Sequence, residues 1–321
     1  MKKIFLPVFL FISIISFSEI INYPYPVNYF NLLIEGQNAK MAFMDVKPAA
    51  ANGKTVILFH GKNFNGFYWK DVIPFLTKAG YRVIVPDQVG WGKSSKPNIH
   101  YSFFLLANNN AKLLDSLGID KVTAVGHSMG GMLATRFSLM FSQRVQKLVL
   151  ENPIGLEDYS AFVPYKSLED VYKNEANQTY ESIKKYQQSY YPAWKEEYEP
   201  YVQAQAIQLK DTNYAQTAMV NAITYEMIYE QPVVYSFDSL HVPTLLIIGQ
   251  ADKTVVGKSS LTEEQKKVYG NYPLLGRKTA ARIKDSKLVE LPGVGHIPHI
   301  QDLQVYKQHL LSFLENEVNN K

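Results

Sequence analysis

Cysteine is absent from this chain of 321 residues, and its absence excludes three kinds of chemistry. A disulfide framework, a thiolate nucleophile and a cysteine-based metal site all need a residue that the sequence does not contain. Stability therefore has to come from a packed core, and an apolar content of 46% in a chain of this length can build one.

Excess charge and common ligand-binding motifs are also scarce. The formal net charge is only +4 and no basic run is concentrated, so we do not expect a nucleic acid as partner. The seven histidines show no H-E-x-x-H or paired spacing, and no metal site is predicted. The glycine-rich segment 90–94 fits neither G-x-G-x-x-G nor a phosphate-binding loop, so we expect no nucleotide and no other cofactor.

A single apolar run approaches the length of a membrane segment, and it lies at the N-terminus. Lys2 and Lys3 precede an apolar stretch over 4–17, and Ser16 and Ser18 provide the small residues of a cleavage site. This pattern predicts a signal peptide over 1–18, with a retained anchor as the alternative. We therefore expect an exported protein, periplasmic or secreted, without stable membrane insertion once the signal is removed.

Apolar strand patterns alternate with helical patterns along most of the chain. Strands without a polar face, separated by helices, are typical of a mostly parallel sheet covered by helices. Helices are predicted over 71–79, 102–117, 132–140 and 302–318, with a loop and helix within 253–283. The eight predicted strands cover 29–34, 40–46, 55–59, 81–85, 121–125, 146–150, 244–248 and 287–291.

The alternation is interrupted between the sixth and seventh predicted strands. The segment 155–238 holds 13 of the 22 tyrosines and shows helical patterns at 177–190 and 214–229. We interpret it as a helical lid inserted over the sheet. The core would then consist of residues 19–154 and 239–321.

The pentapeptide Gly126-His127-Ser128-Met129-Gly130 follows a predicted strand and precedes a predicted helix. In that context G-x-S-x-G indicates a sharp turn that exposes a serine hydroxyl at the end of a sheet. An alcohol needs an adjacent base and a carboxylate that orients the base before it can act as a nucleophile at neutral pH.

Two later strand ends supply those groups. Asp252 follows the seventh predicted strand and His296 follows the eighth, so the order along the chain is serine, acid, histidine. His299 is a competing histidine in a poorer position. Glu151, at the end of the sixth strand, is the alternative acid.

Five stretches, each at a strand end, together give the chain its resemblance to a known family. They are 60–61, 86–94, 126–130, 249–252 and 295–296. With these stretches the chain resembles the α/β-hydrolase superfamily, and most of all the lidded branch that contains esterases and C–C bond hydrolases. Branch members with an aspartate nucleophile, the epoxide hydrolases and haloalkane dehalogenases, are disfavoured because Ser128 occupies that position.

The resemblance implies a role for each candidate residue. Ser128 would attack a carbonyl carbon, His296 would transfer the proton, and Asp252 would orient the histidine. The backbone amides of Met129 and Lys62, with Asn63 as a second possibility for the latter, would form an oxyanion hole. We expect a structural role for His60 and a solvated side chain for Lys62.

These residues predict a serine hydrolase that cleaves a small, mostly apolar carboxylic ester through an acyl-enzyme. The same machinery could hydrolyse a C–C bond, a lactone or a small amide. A hydrolase fold that binds a ligand without catalysis is the alternative from another functional class.

Overall fold

The fold is that of a computed structural model, which describes residues 21–316. The predicted signal peptide over 1–18 lies outside the described residues, so the export of this protein stays a prediction. Within residues 21–316 no helix combines the length and apolar character needed to cross a bilayer.

Eight strands form one sheet in the order β1-β2-β4-β3-β5-β6-β7-β8. The two N-terminal strands pair antiparallel, as do β2 and β4, and every other neighbouring pair is parallel. The predicted mostly parallel eight-stranded sheet is therefore confirmed. The strands are Val27–Ile34 (β1), Gln37–Val46 (β2), Thr55–Phe59 (β3), Arg82–Pro86 (β4), Val122–His127 (β5), Val145–Glu151 (β6), Thr244–Gly249 (β7) and Ser286–Leu291 (β8).

Helices cover both faces of the central strands. On β3, Ile57 and Phe59 face one apolar cluster while Val56 and Leu58 face another, as the period of two in a strand requires. Strands buried on both sides explain why their sequences are apolar without alternation. The core helices are Val72–Lys78 (α1), Phe103–Ser116 (α2), Met129–Met140 (α3), Glu263–Val268 (α8), Tyr272–Arg282 (α9), Pro298–Gln301 (α10) and Leu303–Glu315 (α11).

The long connection between β6 and β7 is helical, and the segment expected to be a lid lies within it. We call the helices of this connection the lid helices. They pack through buried aromatic and aliphatic side chains, and α4 lies against α7. The lid helices are Leu168–Ala176 (α4), Tyr180–Gln188 (α5), Glu199–Ala206 (α6) and Tyr214–Glu230 (α7).

The predicted start of α3 is wrong by three residues. The apolar pattern placed it at Met132, whereas the helix begins at Met129, directly after the candidate nucleophile. Because Gly130 and Gly131 are poor helix formers, the residue propensities did not predict the first turn of this helix. A Cβ on Gly130 would lie 2.1 Å from the Phe59 carbonyl oxygen, so close packing against β3 explains the glycine there.

Candidate active site

The carboxyl ends of three parallel strands, β5, β7 and β8, bring the candidate triad together. The Ser128 Oγ lies 2.9 Å from Nε2 of His296, and the His296 Nδ1 lies 2.7 Å from Oδ2 of Asp252. An ionised carboxylate can only accept a hydrogen bond, so Nδ1 carries the proton and Nε2 is free to accept one from the serine. This is the arrangement of a nucleophile, its base and the acid that orients the base.

Ser128 occupies a strained backbone conformation, with φ 56° and ψ −122°. A Cβ on Gly126 would lie only 2.1 Å from the carbonyl oxygen of Gly130, so the turn has no room for a side chain at Gly126. The two glycines of the pentapeptide thus allow three backbone segments to approach closely. Strain held by such packing aims the serine hydroxyl away from the sheet.

Asp252 is fully buried, and its carboxylate is held by several donors. Oδ2 accepts hydrogen bonds from His296 and from Nδ2 of Asn152 (2.8 Å), and Oδ1 accepts one from the Thr254 backbone N–H (2.8 Å). Burial favours a raised pKa for Asp252, but the nearby His296 and these hydrogen bonds outweigh it and hold the pKa below the ordinary value. The acid is therefore ionised at neutral pH.

Asn152 is a residue that the sequence reasoning missed. It lies directly after β6 with φ 34°, and its side-chain oxygen accepts a hydrogen bond from the Gly249 N–H at 2.8 Å. One amide thus connects the ends of β6 and β7 and donates to the acid. The signal in the sequence is an amide directly after the end of a buried strand, next to the glutamate that we predicted as the alternative acid.

The side chains of the two alternative residues, Glu151 and His299, bond each other and not a triad side chain. Glu151 Oε1 accepts hydrogen bonds from the backbone N–H and from Nδ1 of His299, both at 2.8 Å. The ring of His299 stacks on Trp69 with centroids 4.3 Å apart. The structure therefore places Asp252, and not Glu151, against the imidazole that faces Ser128.

The loop after β3 passes close to the serine. A Cβ on Gly61 would lie 3.2 Å from the Ser128 Cβ, which shows how closely this loop passes. The Gly61 carbonyl oxygen accepts hydrogen bonds from the Phe64 N–H (3.1 Å) and from Nδ1 of His60 (2.9 Å). In a trans peptide the carbonyl group and the N–H of the following residue point in opposite directions. The Lys62 N–H is therefore directed away from the Phe64 N–H and the His60 ring.

Two further contacts fix the same loop. Trp91 donates its indole N–H to the Lys62 carbonyl oxygen at 2.8 Å, and the Gln88 N–H donates to Nε2 of His60 at 3.0 Å. His60 thus serves as a hydrogen-bonded part of the loop.

The Met129 N–H lies in the first turn of α3, where amides lack partners within the helix and the helix dipole favours negative charge.

The Lys62 side chain differs from our expectation. We predicted a solvated surface lysine, but its ammonium lies 2.9 Å from the Glu175 carboxylate on α4, with only 17% of the side chain exposed. The prediction was wrong because the partner comes from the lid, 113 residues further along the chain. The loop next to the serine therefore presents a neutralised charge.

The triad is almost closed to solvent, with Ser128 only 7% and His296 only 1% exposed. A surface groove of about 640 Å³ lies elsewhere, between the lid helices and residues 21–22, and no triad residue lines it. Within residues 21–316 no group of three or more His, Cys, Asp and Glu side chains could hold a metal ion.

Comparison with known proteins identifies the family. A model described as alpha/beta hydrolase fold matches residues 54–303 of the chain. The chain belongs to the α/β-hydrolase family. The predicted resemblance is therefore confirmed, and the relatives include members of the branch with C–C bond hydrolases.

One solved relative is very similar over nearly its whole length. A probable hydrolytic enzyme from Pseudomonas aeruginosa PAO1 is 46% identical, with a TM-score of 0.90, and the match covers 92% of this chain and 96% of that one. Curated relatives match over shorter stretches. A 2-hydroxy-6-oxo-6-phenylhexa-2,4-dienoate hydrolase from Comamonas testosteroni is 32% identical over 47% of this chain.

An uncharacterised protein from Mycobacterium tuberculosis H37Rv is 39% identical over 33% of this chain. The chain spans only part of these curated relatives, 58% of the Comamonas protein and 31% of the mycobacterial one. The comparisons therefore show membership of the α/β-hydrolase family.

Histidine burial makes stability depend on pH. Burial, followed by the charges of His296 and His299, lowers the pKa of His127 well below its ordinary value, so the folded protein keeps this ring neutral. Below about pH 6.5 the unfolded chain binds a proton that the folded chain does not, so the free energy of unfolding falls.

We expect this histidine to contribute about 1 kcal/mol to the loss of stability between about pH 7 and about pH 5.5. Urea unfolding of the wild type and of His127→Gln, which keeps a donor for the His296 carbonyl oxygen, measures that contribution. The variant should lose less stability over this range. An equal loss in both proteins would contradict a buried neutral His127.

Proposed function

We propose that this protein is a serine hydrolase that cleaves a small, mostly apolar and uncharged carboxylic ester. The observation that carries the proposal is the unbroken hydrogen-bond chain from Ser128 through His296 to Asp252, at 2.9 and 2.7 Å. A chain of this kind is what converts a weakly nucleophilic alcohol into an attacking group.

In the acylation step the Ser128 Oγ bonds to the carbonyl carbon while its proton passes to Nε2 of His296. The carbonyl oxygen becomes an oxyanion, which the backbone N–H groups of Met129 and Lys62 stabilise. The carbonyl then re-forms and the bond to the leaving alcohol breaks. His296 returns the proton to the leaving oxygen, which completes the acyl-enzyme.

In the deacylation step a water molecule loses a proton to Nε2 of His296 and attacks the acyl carbon. Collapse of the second tetrahedral species breaks the bond to Ser128, and the serine oxygen recovers the proton. The products are a carboxylic acid and an alcohol. Asp252 remains ionised throughout, keeping Nδ1 protonated and stabilising the charged imidazole.

Hydrolysis of a C–C bond is the second candidate function, and the Comamonas relative favours it. That relative's name describes a substrate with a carboxylate. In this chain Lys62, the lysine of the candidate oxyanion loop, is already paired with Glu175, which disfavours a second carboxylate at that point. We therefore place an uncharged ester first.

Removal of the nucleophile tests the reaction class. Wild-type protein should show a burst of p-nitrophenol from p-nitrophenyl butyrate and should be labelled covalently by a fluorophosphonate probe. Ser128→Ala should lose the burst and the label. Ser138→Ala changes a buried serine on α3 whose hydroxyl, among the described residues, bonds the Ala134 carbonyl oxygen, and it should keep both.

A wild-type protein with neither burst nor label would favour the noncatalytic ligand-binding alternative. Retained labelling in Ser128→Ala would instead show that another residue is the nucleophile.

The Lys62–Glu175 pair predicts a preference for neutral substrates. Glu175→Gln would leave the ammonium without its counter-ion, so a carboxylate on the substrate could take that place. Because the pair is partly exposed, we expect kcat/KM for mono-p-nitrophenyl succinate to rise by about three- to tenfold, with p-nitrophenyl butyrate changed less than about twofold.

The matched control is Glu169→Gln, which removes an exposed glutamate of the same helix paired with Lys173. It should leave the ratio of the two kcat/KM values unchanged. Equal effects of Glu175→Gln on both esters would show that Lys62 does not face the substrate.

A further inference from the structure

Tyr190 connects the lid to the candidate catalytic histidine through two separate contacts. Its carbonyl oxygen accepts a hydrogen bond from the backbone N–H of His296 at 2.7 Å. Its ring stacks on the imidazole, with centroids 4.8 Å apart and planes 27° apart. The residue lies just after α5, and only 6% of it is exposed.

The same side chain also reaches the candidate oxyanion loop. The Tyr190 hydroxyl accepts a hydrogen bond from Nδ2 of Asn63 at 2.9 Å, one residue after Lys62. Burial raises the pKa of the Tyr190 hydroxyl well above its ordinary value, so the group stays neutral. One lid residue thus touches the two parts of the site that must be aligned for acyl transfer.

The contact depends on a glycine that the sequence pattern had already singled out. A Cβ on Gly295 would lie 2.2 Å from the Tyr190 carbonyl oxygen. Any larger residue before His296 would push the lid backbone away. The glycine therefore has a physical purpose, which is to admit the lid backbone beside the histidine.

Among the described rings around His296, that of Tyr190 lies closest to parallel with the imidazole. The His127 ring is tilted by 57° at 4.9 Å, and the Tyr272 ring makes an angle of 75° at 6.4 Å. The face of an aromatic ring attracts a cation, and the attraction grows when both partners are shielded from water. His296 becomes a cation each time it takes the Ser128 proton.

We propose that Tyr190 is a positioning residue for His296, holding the imidazole in line with Ser128 and stabilising its charged form. The proposal rests on the proposed function, because it needs an imidazole that gains and loses a proton during turnover. It makes the lid part of the catalytic apparatus as well as a cover.

The test compares three variants with p-nitrophenyl butyrate as substrate. Tyr190→Leu removes the ring and should lower kcat about tenfold while KM changes less than about twofold, the size expected of a buried cation–π contact. Tyr190→Phe keeps the ring and should restore kcat to within about threefold of wild type.

Tyr191→Leu is the matched control. This neighbour is equally buried, but its ring stacks on Tyr198 at 3.9 Å, away from the triad. It should lower the melting temperature as Tyr190→Leu does, yet leave kcat within about twofold. If Tyr190→Leu does not fold, Tyr190→Met replaces it as the variant without a ring.

A spectroscopic measurement separates positioning from general loosening. The proton that His296 Nδ1 shares with Asp252 gives a downfield proton NMR resonance, which the Tyr190 ring current displaces. The resonance should move in Tyr190→Leu and stay in place in Tyr190→Phe and Tyr191→Leu.

Equal losses of kcat in Tyr190→Leu and Tyr191→Leu, or an unmoved resonance in Tyr190→Leu, would overturn the proposal. Those outcomes presuppose an active wild type. An inactive wild type that fluorophosphonate fails to label would instead refute the proposed function.

Discussion

The buried carboxylate of Asp252 is the group on which the rest of the site depends. An ionised side chain without solvent is costly unless it is paired and hydrogen-bonded. Here His296, Asn152 and the Thr254 N–H supply the donors, so the charge is kept and the imidazole is held in one tautomer. The donors come from three strand ends, which only the parallel sheet brings together.

Close backbone approach is the second constraint, and it explains where glycine occurs around the site. A Cβ on Gly249 would lie 2.1 Å from the Gly295 carbonyl oxygen, and one on Gly295 would lie 2.2 Å from the Tyr190 carbonyl oxygen. The backbone segments at Gly249, before Asp252, at Gly295, before His296, and at Tyr190 are thus packed against one another with no room for side chains at the two glycines. The position of His296 is set from both sides.

The sequence was sufficient to predict the sheet and to select the three side chains that the structure brings together. Strands buried on both faces have a distinctive composition, and parallel strands end at one edge, so chain order alone brought Ser128, Asp252 and His296 together. It favoured Asp252 and kept Glu151 as the alternative acid, because both lie at the ends of buried strands. That choice depends on which carboxylate points at the imidazole.

The contacts that sequence reasoning missed are those between segments far apart in the chain. Asn152 is a neutral amide with no motif, and its role follows only from the distance to Asp252. Glu175 and Tyr190 belong to the connection between β6 and β7, far from Lys62 and His296 in the chain, so their approach to those residues was not predictable. Local patterns gave the elements, and tertiary packing determined these pairs.

The most direct test of the account is to compare kcat/KM for p-nitrophenyl butyrate in Asp252→Asn and Glu151→Gln, with folding checked by circular dichroism. An acid that fixes the histidine tautomer should be irreplaceable, so kcat/KM of Asp252→Asn should fall roughly ten-thousandfold. Glu151→Gln, which keeps an oxygen for His299, should stay within about tenfold of wild type. Loss of turnover in a folded Glu151→Gln, with Asp252→Asn active, would contradict the role of Asp252 as the acid that orients His296.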